Sequence, residues 1–80
     1  MKTVELYGRP GCCLCDEAEK ELKGLAAGLG FRVHKINIEA DARLLSELEI
    51  HIPVVKVDGR EVCRYRLDRD ALQKALAIEP

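Results

Sequence analysis

The sequence predicts a small α/β domain, and three observations along the chain support this. A strand-like segment, a long helical pattern and a second strand-like segment come first, in the order of a β-α-β unit. Two further strand-like segments flank Asp58-Gly59, the strongest short signal for a β-hairpin. The last segment has the apolar spacing of one helix face. The β-α-β unit predicts a parallel pair of strands and the hairpin an antiparallel pair, so the sheet should be mixed.

Length and composition limit the classes of protein. The chain has 80 residues and a net charge of −1, so we expect a single domain over positions 1–80. The basic residues are scattered, which predicts neither a nucleic-acid nor a membrane partner. No apolar run approaches the ~20 residues of a transmembrane helix, and the start of the chain enters a strand rather than a signal peptide. We therefore expect a cytoplasmic monomer. In that setting, four cysteines indicate redox or metal chemistry more than a structural disulfide framework.

The first half of the chain supplies two strands and two helices. Thr3–Tyr7 alternates as a strand does, and a helix should run from about Cys12 to about Leu29, where Gly28 and Gly30 end it. Its apolar positions repeat every three or four residues. The stretch 31–38 should form the second strand. The alternation of that strand slips, which predicts partial burial of both faces or a local irregularity.

A short helix over about Ala40–Leu48 should follow the second strand. The segments 53–57 and 60–66 then form the two strands of the hairpin. Asp68 is placed to cap a last helix, whose apolar residues are Ala71, Leu72, Ala75 and Leu76.

The stretch "GRPGCCLCDE" holds three of the cysteines, and helix geometry separates them. Because each residue turns the helix by about 100°, Cys12 and Cys15 share a face while Cys13 points nearly opposite. Positions i and i+3 at a helix start satisfy the Cα separation of roughly 4.4–6.8 Å that a disulfide needs. Cys12 and Cys15 are therefore the predicted working pair.

The two thiols should have unequal roles. Cys12 lies at the helix start, where free N–H groups and the positive end of the helix dipole stabilise a thiolate, and Arg9 adds positive charge. Asp16 opposes this, because a carboxylate on the same side disfavours the thiolate. Cys15 lies one turn deeper on the core face and suits the resolving thiol. A moderately activated Cys12 is expected to attack a disulfide, and Cys15 to release the product.

Other readings of the cysteines stay open. A zinc site would need further ligands from Cys13, Cys63, His34 and His51, but no second C-x-x-C or H-x-x-x-H exists, so we expect no metal site. One alternative function is a metal or iron–sulfur carrier that uses Cys12 with Cys13, Cys15 or glutathione. A redox-inert adaptor with the same fold is the other alternative. Cys13 is interpreted as an exposed thiol dispensable for the redox cycle, open to glutathionylation or intermolecular pairing. Cys63, in an edge strand, is interpreted as a buried structural residue.

These features together resemble a known family. The C-x-x-C motif after a first strand, "HIPVV" opening a strand, the "VDG" hairpin and the terminal helix resemble the thioredoxin fold in its minimal glutaredoxin-like form. "RPGCCLC" is similar to a short prokaryotic glutaredoxin-like group. The resemblance covers essentially the whole chain. It implies a βαβ-α-ββα order, a four-stranded mixed sheet of order 2-1-3-4 and helices on both faces.

The resemblance also implies an activity and roles for residues. The chain would be a thiol–disulfide oxidoreductase in which Cys12 attacks and Cys15 resolves. Pro53 would be cis and face the cysteines, the Ile52 backbone would pair with an extended substrate, and His51 would lie near the site. The substrate would be a disulfide-containing protein or glutathione. The electrons would come from a reductase of the thioredoxin or glutathione type, with no bound cofactor and with glutathione as a possible reductant.

The sequence departs from the family pattern around the cysteines, where Gly11 replaces the tryptophan that precedes a thioredoxin motif, and before the last helix. Cys13-Leu14 stands between the cysteines, where typical glutaredoxins have Pro-Tyr. Typical glutaredoxins also carry a Gly-Gly turn before the last helix that helps to anchor glutathione, whereas this chain has Arg66-Leu67-Asp68 there. Arg9, Arg66 and the amides near Asp68 are the candidates to take over that anchoring.

Overall fold

The computed structural model describes residues 2–77, which form one sheet and three α-helices. The strands and helices, in chain order, are β1 (Lys2–Gly8), α1 (Cys13–Leu29), β2 (Phe31–Asn37), α2 (Ala42–Leu48), β3 (Val54–Val57), β4 (Arg60–Arg64) and α3 (Arg69–Ala77). A short 3-10 turn, Ile38–Ala40, precedes α2. None of the described helices has the length and apolarity that a membrane crossing needs.

The sheet has the order β2-β1-β3-β4, which confirms the order 2-1-3-4. β1 and β2 are parallel, whereas β1 with β3 and β3 with β4 are antiparallel. The pairing of β1 with β3 ends at Tyr7 opposite Val54. Continuing this antiparallel register by one residue would bring Gly8 opposite Pro53. The C-terminal end of β1 and the N-terminal end of β3 therefore lie side by side at one end of the sheet.

Helices cover both faces of the sheet, as expected. The main core lies between the sheet and the helices α1 and α3; its buried residues are Val4, Leu6, Ala18, Leu22, Phe31, Val55, Val57 and Leu72. The smaller core lies on the opposite face beneath α2, where Tyr7, Ile38, Leu48 and Val54 are buried. Because successive strand residues point to opposite faces, Leu6 and Tyr7 belong to different cores.

The irregular alternation of β2 has a simple cause. Val33 packs against the main core, together with buried Phe31. Ile36 packs against the smaller core, and Ile38 is buried there just after the strand ends. The strand therefore contributes apolar side chains to both faces, which confirms the predicted partial burial of both.

The second helix begins later than the sequence predicts, at Ala42 rather than at about Ala40. Asp41 caps it, because Asp41 Oδ1 accepts hydrogen bonds from the backbone N–H groups of Arg43 at 2.8 Å and Leu44 at 3.4 Å. β2 likewise ends at Asn37, one residue early, because the 3-10 turn begins at Ile38.

The hairpin turn is confirmed, since Asp58 and Gly59 both have positive φ angles, of 52° and 79°. β4 is shorter than predicted and ends at Arg64, because Tyr65 adopts the left-handed conformation with φ of 66°. The predicted cap of α3 is present: Asp68 Oδ1 accepts a hydrogen bond from the N–H of Ala71 at 3.0 Å.

Candidate active site

A tight turn places Cys12 at the start of α1. Gly11 takes a positive φ of 80°, a conformation that glycine adopts without steric cost. Cys12 follows as the N-cap, and its sulfur accepts a hydrogen bond from the backbone N–H of Cys15 at 3.2 Å. This contact bears directly on thiolate chemistry, because an N–H group of the first helical turn points at the sulfur.

The sulfur atoms of Cys12 and Cys15 lie near disulfide distance, and the Cα atoms are 5.2 Å apart. Cys12 is half-buried, whereas Cys15 is fully buried with 0% exposure. Cys13 is exposed and free. The pairing predicted from helix geometry and the separate position of Cys13 are both confirmed.

Cys15 is enclosed by the end of β1. Gly8 is buried there, and a Cβ atom built on it would lie 2.9 Å from Cys15 Sγ and 3.0 Å from Cys15 Cβ. Any residue larger than glycine at this position would collide with the cysteine. Directly before the neighbouring strand β3, Pro53 is buried, and the Ile52–Pro53 peptide bond is cis.

The segment before β3 is joined to the turn between β4 and α3. The N–H of Tyr65 donates to the carbonyl of Pro53 at 2.8 Å, and the Tyr65 hydroxyl shares a hydrogen bond with His51 Nδ1 at 3.0 Å. The Ile52 N–H and C=O form no hydrogen bond with any residue between 2 and 77. Sequence reasoning missed Tyr65, since its apolar and aromatic character fitted the predicted strand and no local signal marked a left-handed conformation.

Two charged residues flank the cysteines along the chain: Arg9 is partly buried and Asp16 is exposed. Arg9 Nε lies 3.6 Å from Glu39 Oε2, so part of the Arg9 charge is balanced by that carboxylate. Asp16 is the acidic residue of the first turn of α1, and its backbone N–H donates to the Cys12 carbonyl at 3.1 Å. The Asp16 side chain is exposed to solvent, which weakens its field by screening.

The fourth cysteine lies apart from this pair. Cys63 is a free, half-buried thiol in the edge strand β4, less buried than predicted. Burial raises the pKa of the Cys63 thiol, although a hydrogen bond from the Asp68 backbone acts in the opposite direction. Within the part of the chain that the structure describes, no three His, Cys, Asp or Glu side chains are grouped to hold a metal ion.

Comparisons with known proteins agree with this geometry. Positions 3–77 match the sequence model of the family described as "Glutaredoxin-like domain (DUF836)". An uncharacterized protein of Mycobacterium tuberculosis, Rv0508, is 33% identical to this chain, over 92% of this chain and 81% of the relative.

Two solved structures share the fold. The solution structure of protein Ne2328 from Nitrosomonas europaea superposes with a TM-score of 0.85 at 31% identity, covering 95% of this chain and 92% of that one. The thioredoxin-like protein BC3987 superposes with a TM-score of 0.65 at 26% identity, covering 99% of this chain and 100% of that one. The chain therefore belongs to the family of glutaredoxin-like (DUF836) domains, within the thioredoxin superfamily.

Proposed function

We propose that the protein is a thiol–disulfide oxidoreductase that reduces disulfides with the Cys12–Cys15 dithiol. One observation carries the proposal: two cysteine sulfurs lie near disulfide distance at a helix start, and one cysteine is half-buried while the other is fully buried. Such a pair can alternate between dithiol and disulfide without large backbone movement. Adjacent or i, i+2 cysteines do not have this geometry.

The proposed reaction is a two-step exchange. The Cys12 thiolate attacks one sulfur of the substrate disulfide, a Cys12–substrate disulfide forms, and the other substrate sulfur leaves as a thiolate that takes up a proton. The Cys15 thiolate then attacks the Cys12 sulfur, the Cys12–Cys15 disulfide forms, and the second substrate thiol is released. Two electrons pass from the protein to the substrate in each cycle.

The surroundings of Cys12 support its role as the attacking thiol. The N–H of Cys15 already points at the Cys12 sulfur at 3.2 Å, and the start of α1 carries the positive end of the helix dipole. Asp16 opposes the activation of the Cys12 thiol, but its carboxylate is exposed, so solvent and salt screen its charge. We therefore propose a moderately activated nucleophile, whose reactivity His51 and Asp16 adjust.

Substrate would bind beside Pro53. The unpaired backbone of Ile52 offers a donor and an acceptor to an extended chain, in the manner of an added β-strand. Arg9 would contribute positive charge on the side of the cysteines away from Pro53. We propose a disulfide-containing protein or glutathione as the partner. The oxidised protein would recover its electrons from glutathione or from a reductase of the thioredoxin or glutathione type, which suits the reducing cytoplasm.

Two serine variants test the proposal. Cys12→Ser should abolish reduction of a small disulfide such as hydroxyethyl disulfide, because no other described thiol lies at the N-cap. Cys13→Ser should retain most of the activity, since Cys13 is exposed and outside the pair. Equal loss in both variants would contradict the assignment. Stoichiometric zinc or iron in protein purified without a tag would instead favour a metal carrier.

The electron donor can be identified separately. The oxidised protein is incubated either with glutathione, glutathione reductase and NADPH, or with thioredoxin reductase and NADPH. Oxidation of NADPH in one mixture and not in the other names the donor. Oxidation in neither mixture would contradict both of the proposed routes.

A further inference from the structure

Two exposed apolar side chains, Leu14 and Tyr65, line one groove beside the start of α1. Among residues 2–77, the exposed large hydrophobic residues are Leu14 at 40%, Leu29 at 40%, Ile50 at 78% and Tyr65 at 46%. Leu14 lies between Cys12 and Cys15, Ile50 precedes His51, and Tyr65 is hydrogen-bonded to His51 and Pro53. Leu29 lies at the other end of α1, and Ile50 is not part of the groove. Leu14 and Tyr65 adjoin each other, and adjoining apolar surface of this kind is a candidate contact with another molecule.

A groove runs between α1 and the turn that leads into α3; we call it the Leu14–Tyr65 groove. On the helix side it is lined by Leu14 and Ala18, which share one stripe of α1, and on the turn side by Tyr65 and Leu67. Its volume is about 250 Å³. Sites that enclose whole small ligands usually measure about 300–1,000 Å³, so this groove suits a single large side chain with its adjoining backbone.

The turn wall of the groove is tied to the segment where substrate would bind. Tyr65 is fixed at two atoms, its N–H to the Pro53 carbonyl at 2.8 Å and its hydroxyl to His51 Nδ1 at 3.0 Å. The unpaired Ile52 backbone adjoins Pro53. An extended chain paired with Ile52 would therefore pass beside a fixed aromatic wall.

Charged residues on the helix wall of the groove indicate which residue of the substrate should stand next to the apolar one. Glu17 lines the groove, is exposed and has no ion-pair partner among the described residues. Glu21, further along the same wall, is held by Arg69 at 3.4 Å. The unpaired carboxylate of Glu17 is thus complementary to a basic side chain that follows or precedes the apolar one. Arg66 on the opposite wall is also exposed and forms no ion pair with residues 2–77, so that wall is complementary to an acceptor group of the substrate, such as a backbone carbonyl.

Resting on the proposed oxidoreductase function, we infer that the Leu14–Tyr65 groove selects protein substrates by sequence. The preferred substrate carries, in an extended segment close to its reacting cysteine, a large apolar residue adjacent to Lys or Arg. The apolar side chain enters the groove and the basic side chain pairs with Glu17. The occupant is a polypeptide segment, and glutathione, which has neither side chain, would not gain from these contacts.

Peptides in mixed disulfide linkage with thionitrobenzoate test this inference directly. Two peptides carry Leu-Lys, one with this dipeptide two residues before the single cysteine and the other with it two residues after. Two matched peptides carry Ser-Glu at the same positions. We expect kcat/KM for the better Leu-Lys peptide to exceed its Ser-Glu counterpart by about tenfold, the lower range for filling an apolar pocket. Equal values for both pairs would overturn the inference.

Variants assign the preference to the groove. Leu14→Ser should reduce the Leu-Lys to Ser-Glu ratio to near one, and Glu17→Gln should lower it by a few-fold. Leu29→Ser is the matched control, because Leu29 is equally exposed on the same helix and should leave the ratio unchanged. The ratio is informative even if a variant changes the overall rate. A ratio unaffected by both groove variants would overturn the inference.

Hydroxyethyl disulfide separates this inference from the proposed function. Reduction of hydroxyethyl disulfide that depends on Cys12, together with no preference between the peptides, would overturn the groove inference and leave the oxidoreductase function standing. Absence of any Cys12-dependent reduction would overturn both.

Discussion

The backbone of Gly8 lies against the sulfur of Cys15, so closely that a Cβ atom on Gly8 would stand 2.9 Å from it. This contact connects the end of β1 to the buried half of the cysteine pair. It also explains why glycine occupies the last position of a strand, where it otherwise weakens the structure.

Gly8→Ala should destabilise the protein by about 1–3 kcal/mol, because the added methyl group overpacks a buried site. The measurement is urea unfolding of the oxidised protein. Gly24→Ala is the control: Gly24 lies within α1, and nothing is within 4 Å of its added Cβ. That variant should be more stable than wild type by about 0.5–1 kcal/mol, since alanine favours a helix. A Gly8→Ala variant that is as stable as wild type, or more stable, would contradict the contact.

Cys15→Ser should trap the substrate. Without the buried thiol, the Cys12–substrate disulfide has no internal partner to resolve it. Intact-mass spectrometry should show one covalent adduct per chain, whereas wild type ends as the internal disulfide without adduct. A Cys15→Ser protein that turns over like wild type would show that another thiol resolves the intermediate, and Cys13 would then be tested next.

Tyr65 should tolerate asparagine better than valine. Both replacements remove the ring and its hydrogen bond to His51, but Tyr65 has φ of 66°, and asparagine enters that region several-fold more readily than a β-branched residue. We expect Tyr65→Val to be less stable than Tyr65→Asn by about 1 kcal/mol in urea unfolding. Equal stabilities would show that the turn relaxes to another conformation.

Glu19 should make stability depend on pH. Hydrogen bonds from Lys23 first, and then from Lys35, lower the pKa of the Glu19 carboxyl below its ordinary 4.5. A carboxyl with a lowered folded-state pKa contributes its stability fully above the ordinary value and loses it as the pH falls through the folded value. Lys35 also joins α1 to β2, with Nζ 3.0 Å from Glu19 Oε1.

Glu19→Gln should therefore lower the unfolding free energy near neutral pH by about 0.5 kcal/mol, small because these pairs are screened by solvent. The difference from wild type should shrink as the pH falls below 4.5 and vanish once the Glu19 carboxyl is protonated in the folded state as well. Urea unfolding over a series of pH values from neutral into acid measures it. A difference that persists unchanged in acid would show that the side chain acts through packing and not through its charge.

Much of the fold could be predicted because its signals are local. The apolar spacing of α1, the Asp58-Gly59 turn and the Asp68 cap each reside within a few neighbouring residues. The Cys12–Cys15 pairing was predictable for the same reason, since helix geometry alone separates Cys13 from it. The start of α2 was wrong by two residues because Asp41 takes the capping role and a 3-10 turn precedes it.

The contacts that complete the site were not predictable, because they join distant parts of the chain. Tyr65 leaves the strand to bond with Pro53 and His51, which lie on the far side of the hairpin. The approach of Gly8 to Cys15 depends on how α1 packs across β1. A single sequence carries no local signal for either relationship.

The complete burial of the Cys15 side chain constrains the kinetics of any exchange reaction. Of the two sulfurs in the pair, incoming molecules can reach only that of Cys12, so in the proposed reaction the molecule that takes electrons and the molecule that returns them must use the same atom in turn. They cannot occupy the protein together. Steady-state rates should therefore give parallel lines in double-reciprocal plots, the pattern of a ping-pong mechanism, and each partner at high concentration should inhibit competitively against the other.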